Sequence, residues 1–327
     1  MAKRVLSGMQ PSGLLHLGNL FGALDNFKRL QAEHECFYFV ADWHALSTNY
    51  EDTTRIREYV REVLIDWLAA GLDPERSTLF IQSRVPEHAI LYLLLSMITP
   101  VPWLERNPTY KEKRENIEGR DLSTYGFLGY PVLQTADILL YKGDFVPVGV
   151  DQLPHLELSR EIARRFNQLY KPVFPEPQAL LTEIPKVPGT DGRKMSKSYN
   201  NTINLSDPEA TVRSKLKTMV TDPARIRRTD KGNPDVCPVF TLHKSISAQP
   251  VIDQVNQDCR TAAIGCIDCK KLLADGLVTL LTPTWEKRLE LAQKPKMVDA
   301  VIDAGTKKAG AVARQTVAEV SEAMRIS

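Results

Sequence analysis

The chain has 327 residues, 43% of them hydrophobic and 25% charged, which fits one large domain plus a smaller one with a sizeable core. Its formal net charge of +2 says little about partners. The longest apolar stretch, near Ala89–Thr99, stops at Pro100 and is too short to span a bilayer, and Met1–Gln10 lacks the apolar run of a secretory leader, so a cytoplasmic protein with no membrane contact is expected.

The first part of the chain alternates strand and helix. Arg4–Ser7 is a short apolar run that breaks at Gly8. From Asn19 to Gln31, Leu20, Ala23, Leu24, Phe27 and Leu30 recur at helical spacing. Cys36–Ala41 is continuously apolar, as a strand buried on both faces should be, and its Cys36 reads as core. Thr53–Ala70 repeats Ile56, Val60, Val63 and Trp67 before Gly71 and Pro74 end the helix. Thr78–Gln82 is the third strand. This β-α-β-α-β order predicts an α/β fold with a doubly wound, parallel Rossmann-type sheet that binds ligands beyond the carboxyl ends of its strands. Residues 86–144 read as a helical insertion. Phe145–Val148 resumes the sheet, and a helix follows over about Leu153–Asn167. The Pro/Gly-rich stretch Pro172–Gly192 leads into a polar loop. Beyond about Ser206 only helical periodicity remains, interrupted at Asp222–Pro238 and around Gly265. The expected division is a catalytic domain over residues 1–205 and an all-α domain over 206–327.

Two loops carry chemistry. Gly8-Met9-Gln10-Pro11-Ser12-Gly13 and then His16-Leu17-Gly18-Asn19 stand where the first strand turns into the first helix. A helix start with unpaired N–H groups suits phosphate, Gly18 admits a flat base or a phosphate, and His16 and Asn19 can donate to charge developing on a phosphoryl group. Lys194-Met195-Ser196-Lys197-Ser198 follows the flexible Gly189-Thr190-Asp191-Gly192, on a loop of about residues 189–200. Two lysines three apart on such a loop can close over a polyphosphate. Seven cations in Thr211–Lys231 (Arg213, Lys215, Lys217, Arg225, Arg227, Arg228 and Lys231) suit a polyanion or a solvated helix face.

The two loop motifs, in this order and about 175 residues apart, resemble the HxGH and KMSKS motifs of the class I aminoacyl-tRNA synthetases. The fourth HxGH position here is Asn19, a departure usual in the tryptophanyl branch. Gly-x-Gln-Pro-Ser-Gly, Asp42-Trp43-His44-Ala45, Pro147-Val148-Gly149-Val150-Asp151-Gln152 and the helical C-terminal part are similar to that branch too. The resemblance implies a ligase that activates an amino acid with Mg-ATP and transfers it to the terminal ribose of tRNA, working as a homodimer. It implies catalytic roles for His16, Asn19, Lys194 and Lys197. Gln10, Pro11, Ser12, Gly18 and Asn19 would line the ATP site, with Gly149, Val150, Asp151 and Val187 near the nucleoside and Lys194, Met195, Ser196, Lys197 and Ser198 over the pyrophosphate.

Tyr130, Gln134, Asp137 and Tyr141 step by four, three and four, so they share one face of an otherwise apolar helix. That face is either solvated or the wall of a polar pocket. Asp137 can accept from an indole N–H or from a phenol. Tyrosyl-tRNA synthetases therefore stay in view, but this chain has Leu6 where bacterial tyrosyl enzymes place a tyrosine, and an apolar side chain there suits an indole. The tryptophanyl resemblance implies a tryptophan site of Leu6, Gly8, Gln10, His44, Tyr130, Gln134, Asp137, Val146, Val148 and Gln152. HxGH-type nucleotidyltransferases and non-catalytic RNA-binding relatives are the remaining alternatives.

Four of the five cysteines crowd into Cys237–Cys269, which in a cytosolic chain points to a metal. Cysteines at this spacing fit zinc or iron–sulfur alike. The run Cys259-x6-Cys266-x2-Cys269 with Cys237 resembles a bacterial tryptophanyl branch that carries a [4Fe–4S] cluster in its anticodon-binding domain. The 21 residues between Cys237 and Cys259 are one fewer than that branch leads one to expect, and the turn near Ser245–Pro250 could absorb the difference.

Overall fold

The computed structural model of the chain describes residues 3–116, 121–181 and 187–326. Five parallel strands form one sheet in the order β3-β2-β1-β4-β5: β1 Arg4–Met9, β2 Glu35–Val40, β3 Ser77–Ile81, β4 Phe145–Val148 and β5 Gln178–Leu181. The chain moves outward from β1 in both directions, so the order of strands reverses between β1 and β4. That switch point leaves a crevice at the strands' carboxyl ends. β2 and β3 are apolar along nearly their whole length because helices cover both faces.

The structure departs from expectation in three places. The first strand runs on through Gly8 to Met9, because the ring of Phe39 on β2 lies where a side chain at residue 8 would sit; a Cβ there would come within 2.5 Å of it. The helix after β1 is not uniform: Leu17–Asn19 is α-helical, Leu20–Leu24 is a π-helical turn and Asp25–Leu30 is α-helical again. A fifth strand lies within the Pro/Gly-rich stretch. β5 pairs with β4 from Phe145–Gln178 to Val148–Leu181, while residues 182–186 of that stretch fall outside the described residues.

The insertion holds helices Glu87–Ser96, Val101–Glu105, Pro108–Asn116 and Tyr125–Leu140, and among its described residues no strand. The C-terminal part is helical: Glu209–Thr218, Pro238–Ile246, Gln249–Thr261, Cys266–Gln293 and Pro295–Met324. Its last helix returns to β3, where Arg84 pairs with Asp303 at 2.8 Å and Arg61 with Asp299 at 3.2 Å. One apolar cluster runs from Val5, Tyr38 and Trp67 under the sheet to Leu277 and Leu281 in the helical part. A second packs Phe37 and Phe80 against Leu139, Tyr141 and Phe166 on the other face.

Candidate active site

A cavity of about 300 Å³ opens at the switch point. The ten residues expected around the amino acid all line it: Leu6, Gly8 and Gln10 from β1 and its exit, His44 from helix Asp42–Asn49, Tyr130, Gln134 and Asp137 from helix Tyr125–Leu140, Val146 and Val148 from β4, and Gln152 beyond it. Gly149 joins them, as do Asn26, Phe27 and Phe39, for which the sequence carried no signal.

Asp137 is the polar anchor of this cavity, and it is buried. Its Oδ1 accepts from Gln82 Nε2 at 2.8 Å and from His88 Nδ1 at 2.6 Å, and its Oδ2 accepts from His44 Nε2 at 2.7 Å. Burial alone would raise its pKa, but the charge and hydrogen bond of His44, then those of His88, hold it below the ordinary carboxylate range. An ionised carboxylate only accepts, so both imidazoles carry a proton on the nitrogen that faces it. The other ring nitrogen of His88 is hydrogen-bonded to the Tyr141 hydroxyl at 2.8 Å. Tyr141 is fully buried, and that burial raises its pKa well above the ordinary value, with Asp137 and Glu87 adding to the shift. A carboxylate offers about four lone-pair sites. Three are taken, and one on Oδ2 remains for a ligand donor. Tyr130 holds His155 Nε2 at 2.7 Å while also lining the cavity. Gln82 ends β3, where ligand-binding residues of such sheets collect, and His88 sits on an apolar helix without any periodic cue.

The first motif forms a reciprocal cap rather than an open helix end. The Gly18 N–H donates to His16 Nδ1 at 3.1 Å, the His16 N–H donates to Asn19 Oδ1 at 3.0 Å, and the Leu17 N–H donates to Ile203 O at 3.0 Å. The unpaired N–H groups expected here are therefore occupied. What His16 offers is its other nitrogen: with Nδ1 accepting, the ring proton resides on Nε2. Burial, reinforced by the charge of Lys197, lowers His16 to about 4 and keeps the ring neutral.

The second loop folds down onto this turn. Lys197 Nζ donates to Gly13 O at 3.0 Å and lies 3.5 Å from Ser12 Oγ. Gly13 has φ +131°, a conformation strained for any other residue, and a Cβ there would press the Lys197 stem at 3.1 Å. Burial pulls the Lys197 ammonium down to about 8, while Asp66 acts in the opposite sense. Lys194 and Ser198 are exposed and Ser196 is half-buried. Val187 and Met195 place their side chains in the core, and the Met195 N–H donates to Val187 O at 2.9 Å. Pro11 is buried and Ser12, Val150 and Asp151 are exposed, and none of the four lines the cavity. Buried Asn201, absent from the sequence-level site, staples the loop: its Nδ2 donates to Asp191 Oδ1 at 2.7 Å and to Lys194 O at 3.2 Å, and its Oδ1 accepts from the Ser196 N–H at 2.8 Å.

The four clustered cysteines are free thiols at the ends of three helices. Burial pushes Cys269 up to about 12, with the charges of Cys237, Cys259 and Cys266 adding to the shift. Arg225 Nη1 lies 3.7 Å from Cys259 Sγ. Among the described residues, no three His, Cys, Asp or Glu side chains form a group that could hold a metal ion. The basic stretch is partly neutralised: Arg213 pairs with Glu209 and Asp275, Lys215 with Asp207, and Arg225 is buried, while Lys217, Arg227, Arg228 and Lys231 stay exposed. Among the described residues, no helix is long and apolar enough to cross a membrane.

The family model for class I tRNA synthetases (W and Y) matches residues 2–282. The tryptophan–tRNA ligase of Thermotoga maritima is 55% identical over 325 residues, covering 99% of both chains. That of Aquifex aeolicus is 46% identical over 393 aligned residues, covering 99% of this chain and 100% of its own. The crystal structure of the Campylobacter jejuni tryptophanyl-tRNA synthetase complexed with ADP and tryptophan superposes with a TM-score of 0.91 at 34% identity, covering 99% of this chain and 100% of that one. With the sheet, the crevice and both loops in place, the chain belongs to the class I tRNA synthetases of the W and Y family, on the tryptophan–tRNA ligase branch.

Proposed function

We infer that the protein is a tryptophan–tRNA ligase that condenses L-tryptophan with Mg-ATP to tryptophanyl-adenylate and pyrophosphate, then transfers the aminoacyl group to the 3′-terminal ribose of tryptophan tRNA. The observation that carries the amino-acid assignment is the single lone pair left on Asp137 Oδ2, opposite the apolar side chain of Leu6. An indole presents one N–H and no acceptor, so that lone pair satisfies it. A phenol oxygen would also need a donor, and Leu6 provides none. Val146 and Val148 flank the ring, while Tyr130 and Gln134 face the amino group. Around ATP, the His16 Nε2–H, Asn19, Lys194 and Lys197 supply positioning and positive potential as negative charge moves onto the leaving pyrophosphate. Purified protein should catalyse tryptophan-dependent ATP–pyrophosphate exchange and charge tryptophan tRNA. Exchange with tyrosine alone would overturn the specificity, and exchange with no amino acid would overturn the enzyme reading.

Residues 1–205 form the catalytic unit and 206–327 the tRNA-facing helical unit of this proposal. The exposed Lys217, Arg227, Arg228 and Lys231 support it as a surface for RNA phosphates. Homodimerisation is supported by the apolar surface of the insertion, where Ile90, Leu93, Met97, Val101 and Tyr125 are exposed.

Cys237, Cys259, Cys266 and Cys269 would hold a [4Fe–4S] cluster. Buried thiols whose pKa rises need a nearby cation to become thiolates, and four of them near one another fit that role. When bound, the group supplies a covalent cross-link among three helices. Anaerobically purified protein should be brown with about four irons per chain. Cys266→Ser should lower tRNA charging more than pyrophosphate exchange, and equal loss of both would reduce the site to a general folding role.

A further inference from the structure

The two ATP loops are joined behind the site. Beyond the lysine loop, Ile203–Leu205 runs antiparallel to Leu15–Leu17 of the first motif: the Leu17 N–H donates to Ile203 O at 3.0 Å, the Leu205 N–H donates to Leu15 O at 2.8 Å, and His16 faces Asn204 between them. Helix Cys266–Gln293 grips this bridge from below. Its Trp285 Nε1–H donates to Leu205 O at 2.9 Å. Three residues on, and so on the same face, Arg288 forks onto helix Ile56–Ala69, with Nη1 on Asp66 Oδ1 and Nη2 on Glu62 Oε2 at 2.6 Å.

Asp66 is fully buried, and a buried carboxylate is costly unless something holds it. Arg288 satisfies one oxygen. The other, Oδ2, has no hydrogen-bond partner. The Leu15 N–H of the first motif comes near enough to favour the ionised carboxylate, and the same negative charge acts on Lys197.

We propose that Trp285 and Arg288 form a joint that positions both ATP loops, Trp285 by holding the Leu205 carbonyl of the bridge and Arg288 by clamping its helix onto Asp66 and Glu62. The joint rests on the reading of these loops as the ATP site. None of its residues lines the tryptophan cavity, so its action falls on ATP and on the chemical step. It also gives helix Cys266–Gln293 a function: from Cys269 to Arg288 this one helix spans about 28 Å at 1.5 Å per residue, and its far end closes on the ATP loops.

The test is steady-state pyrophosphate exchange, with tryptophan binding measured by fluorescence in the absence of ATP. Arg288→Gln releases helix Cys266–Gln293 from Asp66 and Glu62, so kcat should fall about 10–100-fold and the KM for ATP should rise, while tryptophan affinity stays within about twofold. The double variant Asp66→Asn with Arg288→Gln should lose no more than Arg288→Gln alone, because both substitutions break the same contact. Trp285→Phe keeps an aromatic ring in place and removes the indole N–H that holds Leu205 O, the mildest change to the packing of the three, and it should lower kcat/KM for ATP by about 2–10-fold. Parallel losses of tryptophan affinity, or strictly additive losses in the double variant, would overturn the joint and leave a fold staple. Unchanged ATP kinetics in all three variants would overturn it as well. A wild-type protein that exchanges no pyrophosphate would sink the parent reading and this joint together, whereas active wild type with silent variants sinks the joint alone.

Discussion

The two halves of the site are built on different principles. The amino-acid half is a cavity walled by buried side chains on two strands and two helices, and its anchor Asp137 has three protein partners before any ligand arrives. The ATP half is backbone and loop, held in pose by Asn201 and by Lys197 resting on Gly13. A preorganised cavity selects its ligand by shape and by unmet hydrogen-bond demand. A loop that docks through a cation can follow charge as it moves during the reaction. The first design serves specificity and the second serves rate, so substitutions in the two halves should separate in their kinetics.

The largest effect should come from the loop. Lys197→Ala removes the cation proposed to meet the leaving pyrophosphate, and kcat for exchange should fall about 100–1000-fold, the usual cost of losing one group aimed at developing charge. The KM for tryptophan should stay within about threefold, because Lys197 does not line that cavity. A variant in which only the KM for ATP moves would show that the lysine binds the ground state, and the contrast between the halves would collapse.

The same division explains what the sequence could convey. The core strands and the polar stripe of helix Tyr125–Leu140 are periodic features, and a period is visible in one dimension. The partners of Asp137 are not: Gln82 and His88 lie 55 and 49 residues away in the chain, and only the packing of β3 and helix Glu87–Ser96 brings them to the carboxylate. β5 escaped because it is a short, half-exposed edge strand after a run of prolines, with neither a continuous apolar run nor alternation. The π-helical turn escaped because Leu20, Ala23 and Leu24 suit either winding. The first loop's motif suggested unpaired N–H groups that the fold does not leave, because their acceptors, His16 Nδ1 and Ile203 O, depend on side-chain geometry and on a segment almost two hundred residues downstream.

A smaller effect, on the other axis, is expected in the cavity. Asp137→Ala removes the acceptor for the indole, and a hydrogen bond to a charged group contributes roughly 1.5–3 kcal/mol, so the KM for tryptophan should rise about 10–100-fold. It also strands the Gln82, His44 and His88 donors in a buried site, so the melting temperature should fall along with affinity. If kcat falls as steeply as it does in Lys197→Ala while KM stays put, the two halves are not separable and the specificity assignment fails.

The smallest effect is a pH limb that belongs to the ATP half alone. Lys197 is lowered by burial to about 8, so in the free enzyme its ammonium loses its proton as pH rises through that value. A neutral amine cannot hold phosphate, and kcat/KM for ATP at saturating tryptophan should fall about twofold near pH 8 and about tenfold by pH 9, since this ratio reports groups of the free enzyme. Bound polyphosphate favours the charged form, which raises the pKa in the complex and shifts the same limb in kcat to higher pH. The neighbouring titrations lie elsewhere: His16 at about 4 is already neutral throughout this range, and Asp66 at about 7 is ionised over most of it, where its charge holds the Lys197 proton on rather than removing it. Lys197→Arg provides the control, because a guanidinium stays charged across the range. Its alkaline limb should vanish from kcat/KM even if its rate is lower, whereas the substrate's own amino group titrates alike in both proteins. A limb that survives in Lys197→Arg, or a wild-type profile flat through pH 9, would mean that Lys197 is more solvated than its contacts with Gly13 and Ser12 imply, and that the loop is not docked in the free enzyme.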